Sequence, residues 1–240
     1  MKYQNILITG ASGNLGKALI ASSLKDRNLL TPSHSECDIT NKESISKYIS
    51  SNNIDAIIHC AAVAKVGECE RDPLKALLTN STGTNNIVSQ ILQKNTRFIY
   101  ISTDYVYLCQ KGPYKEEDQT KPFTIYGWTK LGGECSASLI KNYCIIRTSF
   151  FTPNNIPFDT APNDAYCSKL PINELAKNIV FLLDSDFIGT INVGCERSSL
   201  YEIFRQYKPE IKPISFKDLP VQRAQDSSLD ITLWKSVSKS

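Results

Sequence analysis

A glycine-rich turn near the N-terminus constrains the fold of this chain more than any other feature. The segment Asn5–Thr9 (NILIT) is typical of a buried strand, and the sequence GASGNLG follows it directly. In such a turn Gly10 permits the tight bend, Gly13 lets the backbone approach a pyrophosphate, and Gly16 lets a helix pack closely. A glycine turn alone is a weak sign of a ligand. Its place between the first strand and the first helix favours a dinucleotide-binding loop.

Short apolar runs alternate with amphipathic stretches through the first 149 residues, as in a parallel sheet covered by helices on both faces. The pattern predicts strands over 5–9, 28–31, 55–60, 97–102, 142–147 and 189–193, and helices over 14–24, 41–50, 73–93, 122–140, 173–183 and 200–207. We therefore expect an α/β fold with a Rossmann-like doubly wound parallel sheet. Residues 1–149 form its NAD(P)-binding domain. Residues 150–240 form a small C-terminal substrate-binding cap with elements interleaved with the first domain.

Composition argues against several classes of function. The net charge is +3 and no long basic run occurs, so binding to nucleic acid gains no electrostatic support. The eight cysteines form no CxxC pair and only two histidines accompany them, so we expect no metal site. No apolar run approaches the roughly 20 residues that cross a bilayer, and the start lacks the apolar core of a signal peptide. We expect a cytoplasmic protein with reduced thiols and no membrane partner.

A YxxxK motif in the middle of the chain predicts the chemistry. Tyr126 and Lys130 are four residues apart on a predicted helix, so their side chains share one face. A free Tyr has a pKa of about 10, and a neighbouring ammonium favours the phenolate, so we expect Lys130 to lower the Tyr126 pKa. The phenol then protonates a carbonyl oxygen as a hydride arrives. Thr103 ends a predicted strand, where side chains face the ligand crevice, and it completes the predicted catalytic set.

The stretch beyond the glycine turn bears on the choice of cofactor. Dinucleotide sites usually carry an acid about 20 residues past the turn, where it binds the ribose hydroxyls of NAD. Here residues 30–35 read LTPSHS, without an acid or an arginine, although Glu36 is near. Small hydroxyls and a histidine tolerate a 2′-phosphate. We therefore expect NADPH, with NADH as the alternative.

Several strings resemble the dTDP-4-dehydrorhamnose reductases, a family of extended short-chain dehydrogenase/reductases. The most diagnostic is STDYVY from Ser102 to Tyr107, which is similar to the family's S-T-D-Y-V-F. YGWTKLGGE from Tyr126 resembles the family's catalytic helix, and RTSF from Arg147 resembles R-T-S-W. The tail from Arg223 to Leu229 is similar to a substrate-domain segment, with Ala224 replacing a proline. The resemblance runs through nearly the whole chain.

The resemblance implies reduction of the C4 ketone of a 4-keto-6-deoxy nucleotide sugar, as in dTDP-rhamnose biosynthesis. It implies that Thr103, Asp104 and Phe150 contact the substrate. It is also compatible with a homodimer. Asn80 matches a helix asparagine of the family. The implied cofactor contacts are Gly10, Ser12, Gly13, Asn14, Leu15, Asp38, Ile39, Ala61, Ala62, Val63, Tyr126 and Lys130.

The chain departs from the family between Phe151 and Pro171, where it is shorter and lacks an obvious helix. That segment helps to shape the substrate pocket, so the nucleotide and the sugar stay open. Three alternatives also remain. A bifunctional epimerase/reductase needs a second acid/base pair, but Asp104 stands where its cysteine would be, Cys109 follows too late, and the cap has no histidine. A dehydratase needs a second acid where Tyr105 stands. A non-catalytic NADP-binding regulatory subunit keeps the same fold.

Overall fold

The computed structural model describes residues 2–219 and 224–239. Its central feature is a six-stranded sheet in the order β10-β5-β4-β3-β1-β2, with every neighbouring pair parallel. The strands of the described residues are β1 (Asn5–Thr9), β2 (Asn28–Leu30), β3 (Ala56–His59), β4 (Arg97–Ile101), β5 (Tyr143–Arg147), β6 (Phe150–Phe151), β7 (Thr160–Pro162), β8 (Tyr166–Cys167), β9 (Leu170–Pro171), β10 (Gly189–Asn192), β11 (Ser198–Ser199) and β12 (Lys212–Ile214). The strand order changes direction between β1 and β3, and open α/β sheets bind ligands at such a point.

Helices cover both faces of the sheet, as the doubly wound prediction requires. The α-helices are α1 (Asn14–Ile20), α2 (Lys42–Ser50), α3 (Val66–Arg71), α4 (Pro73–Ala76), α5 (Gly83–Ile91), α6 (Ile125–Ala137), α7 (Ile172–Asp184), α8 (Leu200–Arg205) and α9 (Thr232–Val237). Buried side chains of α1 and α7 form one core with the sheet, and those of α2, α5 and α6 form the second core on the other face. The predicted fold class is confirmed. Within the described ranges, no helix has the length and apolar character needed to span a membrane.

Several predicted helices differ from the structure, and the one predicted over 122–140 extends only over Ile125–Ala137. The first ends at Ile20 rather than residue 24, because the Ser22 hydroxyl donates to the Leu19 carbonyl and a 3₁₀ turn follows over Ser23–Asp26. The helix predicted over 73–93 contains a π segment, Leu77–Thr82, between α4 and α5. The predicted cap of α2 is confirmed, since the Asn41 side chain accepts from the Ser44 amide at 2.9 Å.

Short paired strands build the cap. β6 pairs with β9 and β7 with β12 in parallel, whereas β8 and β11 are antiparallel. Elements of the last third also return to the main sheet, because β10 is its edge strand and α7 covers one face. Leu229 and Ile231 pack with Val106 and Tyr107 of the first half. Arg223 of the family-like tail lies outside the described residues, and a domain boundary at residue 149 stays a prediction.

Candidate active site

A cleft of about 580 Å³ opens at the carboxyl ends of the central strands. Four segments that follow β1, β3, β4 and β5 contribute Gly10, Cys60, Thr103 and Thr148 to its wall. Its full lining consists of Gly10, Gly13, Asn14, Leu15, Gly16, Cys60, Ala62, Ala64, Lys65, Val66, Ile101, Ser102, Thr103, Asp104, Tyr105, Tyr126, Lys130, Thr148, Ser149, Phe150 and Lys169. The cleft therefore joins the glycine turn to the predicted catalytic residues.

The glycine turn is shaped by close backbone contacts. Gly10 has a φ of +70°, a conformation that favours glycine, and a Cβ there would lie 2.6 Å from the Ala61 nitrogen. A Cβ at Gly16 would lie 2.5 Å from the Gly10 carbonyl oxygen. The Gly13 amide donates to the Gly10 carbonyl at 3.0 Å and closes the turn. The turn thus brings α1 close to the sheet and leaves backbone at the cleft surface.

Thr103 and Tyr126 both line the cleft, and Thr103 is close enough to influence the pKa of Tyr126. Thr103 caps a 3₁₀ turn, since its Oγ1 accepts from the Tyr105 amide at 3.2 Å and donates to Asp104 Oδ1 at 3.0 Å. Asp104 Oδ2 accepts from Ser227 Oγ at 2.7 Å. Tyr126 lies in the first turn of α6, which begins where Thr124 accepts from the Gly127 amide at 3.0 Å. The two hydroxyls therefore converge on one region of the cleft.

The expectation that Lys130 lowers the Tyr126 pKa is wrong. Burial raises the pKa of Tyr126 above its ordinary value and outweighs the influence of Thr103, which acts in the opposite direction. Burial also lowers the pKa of Lys130 to about 7, against the influence of Glu134 and Cys60. The Lys130 ammonium lies 4.1 Å from the centre of the Tyr100 ring. Tyr126 is therefore a protonated phenol at neutral pH and is suited to donate a proton.

A buried ion pair supports the strand end that carries Thr103. Arg147 Nη2 and Glu134 Oε2 are 2.7 Å apart, and both side chains are at least nine-tenths buried. Ser102 Oγ donates to Glu134 Oε1 at 2.5 Å, and Arg147 Nη1 donates to the Tyr107 hydroxyl at 2.8 Å. Because one carboxylate links α6 to the carboxyl ends of β4 and β5, the pair holds α6 in register with the sheet.

Asn80, matched to the family by sequence alone, links three parts of the site. Its side chain accepts from the Val63 amide at 2.8 Å and donates to the Val63 carbonyl at 3.1 Å and to Thr129 Oγ1 at 2.9 Å. Nearby His59 lies 2.6 Å from Thr9 Oγ1 and 3.0 Å from Thr84 Oγ1. Burial and the charge of Lys130 lower the His59 pKa to about 3. His59 is therefore neutral and structural.

The predicted cofactor residues divide into two groups. Seven line the cleft: Gly10, Gly13, Asn14, Leu15, Ala62, Tyr126 and Lys130. Five are absent from its lining: Ser12, Asp38, Ile39, Ala61 and Val63. Val63 faces a small cluster with Cys69 and Ala76, and Ile39 is buried close to Gly83. Asp38 accepts from the Thr40 amide and hydroxyl at 2.8 and 2.7 Å. Those five assignments stay predictions from the resemblance.

Besides Lys65, Ser102 and Tyr105, the sequence interpretation missed three polar lining residues. Thr148 and Ser149 directly follow β5, and their position at a strand end is a signal that could have found them. Their hydroxyl oxygens are buried and have no hydrogen-bond partner among the residues that the structure describes. Buried hydroxyls without partners are costly, so they suit a polar group of a bound molecule. Lys169 is the third, and no local pattern marks it.

A second cavity of about 360 Å³ lies in the cap and adjoins the cleft. Asp104, Tyr105, Phe150 and Lys169 line both cavities. The rest of the cap pocket is lined mainly by apolar and aromatic side chains: Phe151, Phe158, Thr160, Ala161, Pro162, Tyr166, Cys167, Leu200, Phe204, Leu219, Ala224 and Ser227. Phe150, predicted to touch the substrate, thus lies at the junction. In residues 2–219 and 224–239, no group of three or more His, Cys, Asp or Glu side chains could hold a metal ion.

Comparison with known proteins gives consistent matches. Residues 4–155 match the family model described as the RmlD substrate binding domain. A dTDP-4-dehydrorhamnose reductase of Mycolicibacterium smegmatis is 34% identical over 151 residues, 61% of this chain and 46% of that protein. The chain thus matches about half the length of such curated relatives.

Solved structures match over nearly the whole chain. A dTDP-4-dehydrorhamnose reductase from Clostridium acetobutylicum superposes with a TM-score of 0.88 at 26% identity, covering 98% of this chain and 93% of that one. One from Bacillus anthracis, solved in complex with NADP, has a TM-score of 0.87 at 25% identity with the same coverage. The agreement therefore extends through the cap as well as the sheet.

Proposed function

Because the chain belongs to the RmlD substrate binding domain family, we propose that it is an NADPH-dependent reductase of a 4-keto-6-deoxy nucleotide sugar. The observation that carries the proposal is the convergence of Thr103, Tyr126 and Lys130 beside the glycine turn in one cleft. The relatives named dTDP-4-dehydrorhamnose reductase support reduction at the C4 ketone. The product belongs to deoxysugar biosynthesis.

The cleft fits a nicotinamide cofactor. The close-packed glycine turn suits a pyrophosphate, and the unpartnered hydroxyls of Thr148 and Ser149 suit a polar group at the far end. The bound cofactor supplies the hydride. We favour NADPH over NADH because Glu36, the first acid after β2, already accepts from the Ser33 amide and hydroxyl at 2.8 and 2.7 Å. The complex of the Bacillus anthracis neighbour with NADP agrees with this choice.

The residues divide the work of the reduction. As a hydride reaches the carbonyl carbon, negative charge develops on the carbonyl oxygen, and Tyr126 Oη transfers its proton there. The raised Tyr126 pKa keeps that proton in place until it is needed. Thr103, which lies beside Tyr126 in the cleft, positions the same oxygen. Lys130 is buried in the wall of the same cleft. Its ammonium would bind the cofactor ribose and would stabilise the phenolate that forms on Tyr126.

Turnover by the wild type and by Tyr126→Phe tests the proposal. We expect the wild type to oxidise NADPH with dTDP-4-keto-6-deoxy sugar, and Tyr126→Phe to be about 100-fold slower or more, since a general acid contributes at least that factor. NADPH binding, measured by fluorescence titration, should be retained in the variant. A wild type that binds NADPH but does not turn over would favour the regulatory-subunit alternative.

The epimerase alternative gains no support from the structure. Cys109 is buried, and burial raises the pKa of its thiol far above the ordinary value. Its Sγ donates to the carbonyls of Asp104 and Tyr107 at 3.4 Å each. A thiol in this state does not serve as an acid or base for a sugar carbon in the cleft.

A homodimer and a cytoplasmic location complete the proposal. Leu74, Leu77 and Leu78 of α4 and the π segment are 63%, 48% and 41% exposed, and Trp128 on neighbouring α6 is 54% exposed. Such an apolar face supports self-association. Light scattering after gel filtration should give twice the chain mass of 26.8 kDa. The eight cysteines are all free thiols, which agrees with a reducing compartment.

A further inference from the structure

Lys169 lies where the cleft and the cap pocket meet, on the wall of both. Backbone pairing holds it there. β9 begins at the next residue and pairs with β6, and the Leu170 amide donates to the Ser149 carbonyl at 3.0 Å. The Lys169 carbonyl also accepts from Cys195 Sγ at 3.1 Å. The position of this lysine is therefore set by pairing between two segments of the cap.

The ammonium of Lys169 is a positive charge that has no counter-ion within residues 2–219 and 224–239. It takes part in no salt bridge among the described parts of the chain. Asp104 is the one acid among the described lining residues of the two cavities, and its two oxygens accept from Thr103 and Ser227. A partly buried, unpaired ammonium beside a largely apolar pocket favours an anion.

The proposed substrate has its parts in a fixed order: deoxysugar, diphosphate, pentose and base. The ketone must reach Tyr126 in the cleft. The aromatic rings of the cap pocket, with Phe158 and Phe204 at a centroid distance of 6.4 Å, suit the base and pentose. The diphosphate between these parts then falls at the junction of the cavities. We propose that Lys169 binds this diphosphate and selects nucleoside diphosphates over shorter nucleotides, an inference that rests on the proposed function for its substrate.

Binding measurements test this role without requiring turnover. Calorimetric titration of the NADPH-loaded protein with dTDP, dTMP and thymidine compares wild type, Lys169→Met and Lys177→Met, the last an exposed lysine on α7. We expect Lys169→Met to bind dTDP about tenfold more weakly, or weaker still. A tenfold loss of affinity corresponds to about 1.4 kcal/mol of binding free energy. Thymidine and NADPH affinities should not change. Lys169→Arg should keep most of the dTDP affinity, because it keeps the charge.

Steady-state kinetics adds a second measurement. With the 4-keto-6-deoxy sugar nucleotide, Lys169→Met should raise KM about tenfold or more with little change in kcat, since Lys169 does not touch the reacting atoms. Equal dTDP affinity in wild type and Lys169→Met would overturn the inference, as would a loss of NADPH affinity instead. Failure of dTDP, UDP and GDP to bind the wild type would also overturn it.

The two proposals fail in distinguishable ways. Lys169-dependent binding of dTDP by a wild type that does not turn over contradicts the proposed function and keeps this inference. Turnover with the same KM in wild type and Lys169→Met supports the proposed function and contradicts this inference. Thermal unfolding of Lys169→Met provides the fold control. A midpoint equal to that of Lys177→Met is expected, because the ammonium forms no salt bridge with any residue that the structure describes.

Discussion

At the residue scale, the buried ammonium of Lys130 makes the stability of the cofactor-free protein depend on pH. Burial lowers its pKa from 10.5 to about 7. Between these values the unfolded chain binds a proton that the folded chain has released, so the free energy of unfolding rises with pH. Below about pH 7 both states are protonated, and the cost of burying the charge is present in full.

We predict that Lys130→Met is more stable than the wild type at pH 6 and loses this advantage as the pH rises towards 10.5. The difference should shrink by up to about 1.4 kcal/mol per pH unit within that interval. Urea unfolding at pH 6, 8 and 9.5 measures it. Lys141→Met is the control, because Lys141 is exposed and precedes β5. A Lys130→Met difference that stays constant with pH would contradict the prediction.

At the element scale, α6 must lie very close to its neighbours to bring Tyr126 to Thr103. A Cβ at Gly127 would lie 2.2 Å from the Tyr105 carbonyl oxygen, which is backbone and cannot move aside easily. We predict that Gly127→Ala destabilises the protein by about 1–3 kcal/mol and lowers kcat, because α6 is pushed away. Urea unfolding and NADPH oxidation measure the two effects.

A matched substitution separates the clash from the loss of a glycine. Gly67 in α3 has no heavy atom within 4 Å of an added Cβ. Gly67→Ala should therefore stabilise the protein by about 0.5–1 kcal/mol through helix propensity. Opposite signs for the two variants are expected. If Gly127→Ala were as stable as the wild type, the close seating of α6 would be wrong.

Local patterns predicted the elements whose causes are local. β1, the glycine turn and the helix of Tyr126 and Lys130 follow from apolar periodicity and glycine spacing, and the Asn41 cap follows from its side-chain chemistry. The early end of α1 could not be predicted from the local pattern. It depends on the Ser22 hydroxyl bonding to the Leu19 carbonyl, and nothing in the sequence distinguishes Ser22 from other serines.

Features that depend on distant partners could not be predicted. The π segment brings Asn80 to Val63 and Thr129, which are 17 and 49 residues away in the chain. Lys169 reaches the junction only through the pairing of β6 and β9. The direction of the Tyr126 pKa shift also depends on burial by the whole fold, so the motif alone gave the wrong sign.

At the scale of the whole molecule, the C-terminal segment is bound to the first half rather than standing beside it. The Tyr114 amide donates to the Ser228 carbonyl at 2.9 Å, and the Asp230 amide donates to the Tyr114 carbonyl at 2.7 Å. Trp234 of α9 packs against Phe181 of α7, with ring centres 5.8 Å apart. These contacts link the C-terminal segment to the first half of the chain and to α7 on the sheet.

We therefore predict a single unfolding transition in urea, although the sequence pattern divides the chain at residue 149. The chain has two tryptophans, Trp128 on α6 and Trp234 on α9, so each part carries one probe. In Trp128→Phe the fluorescence reports on the C-terminal segment, and in Trp234→Phe it reports on the catalytic helix. Within each variant the fluorescence and far-ultraviolet circular dichroism midpoints should coincide, as two-state unfolding requires.

NADPH should raise both midpoints together, because it binds only the folded unit. In Trp128→Phe, a Trp234 fluorescence midpoint at a lower urea concentration than the circular dichroism midpoint would mean that the C-terminal segment detaches before the sheet unfolds.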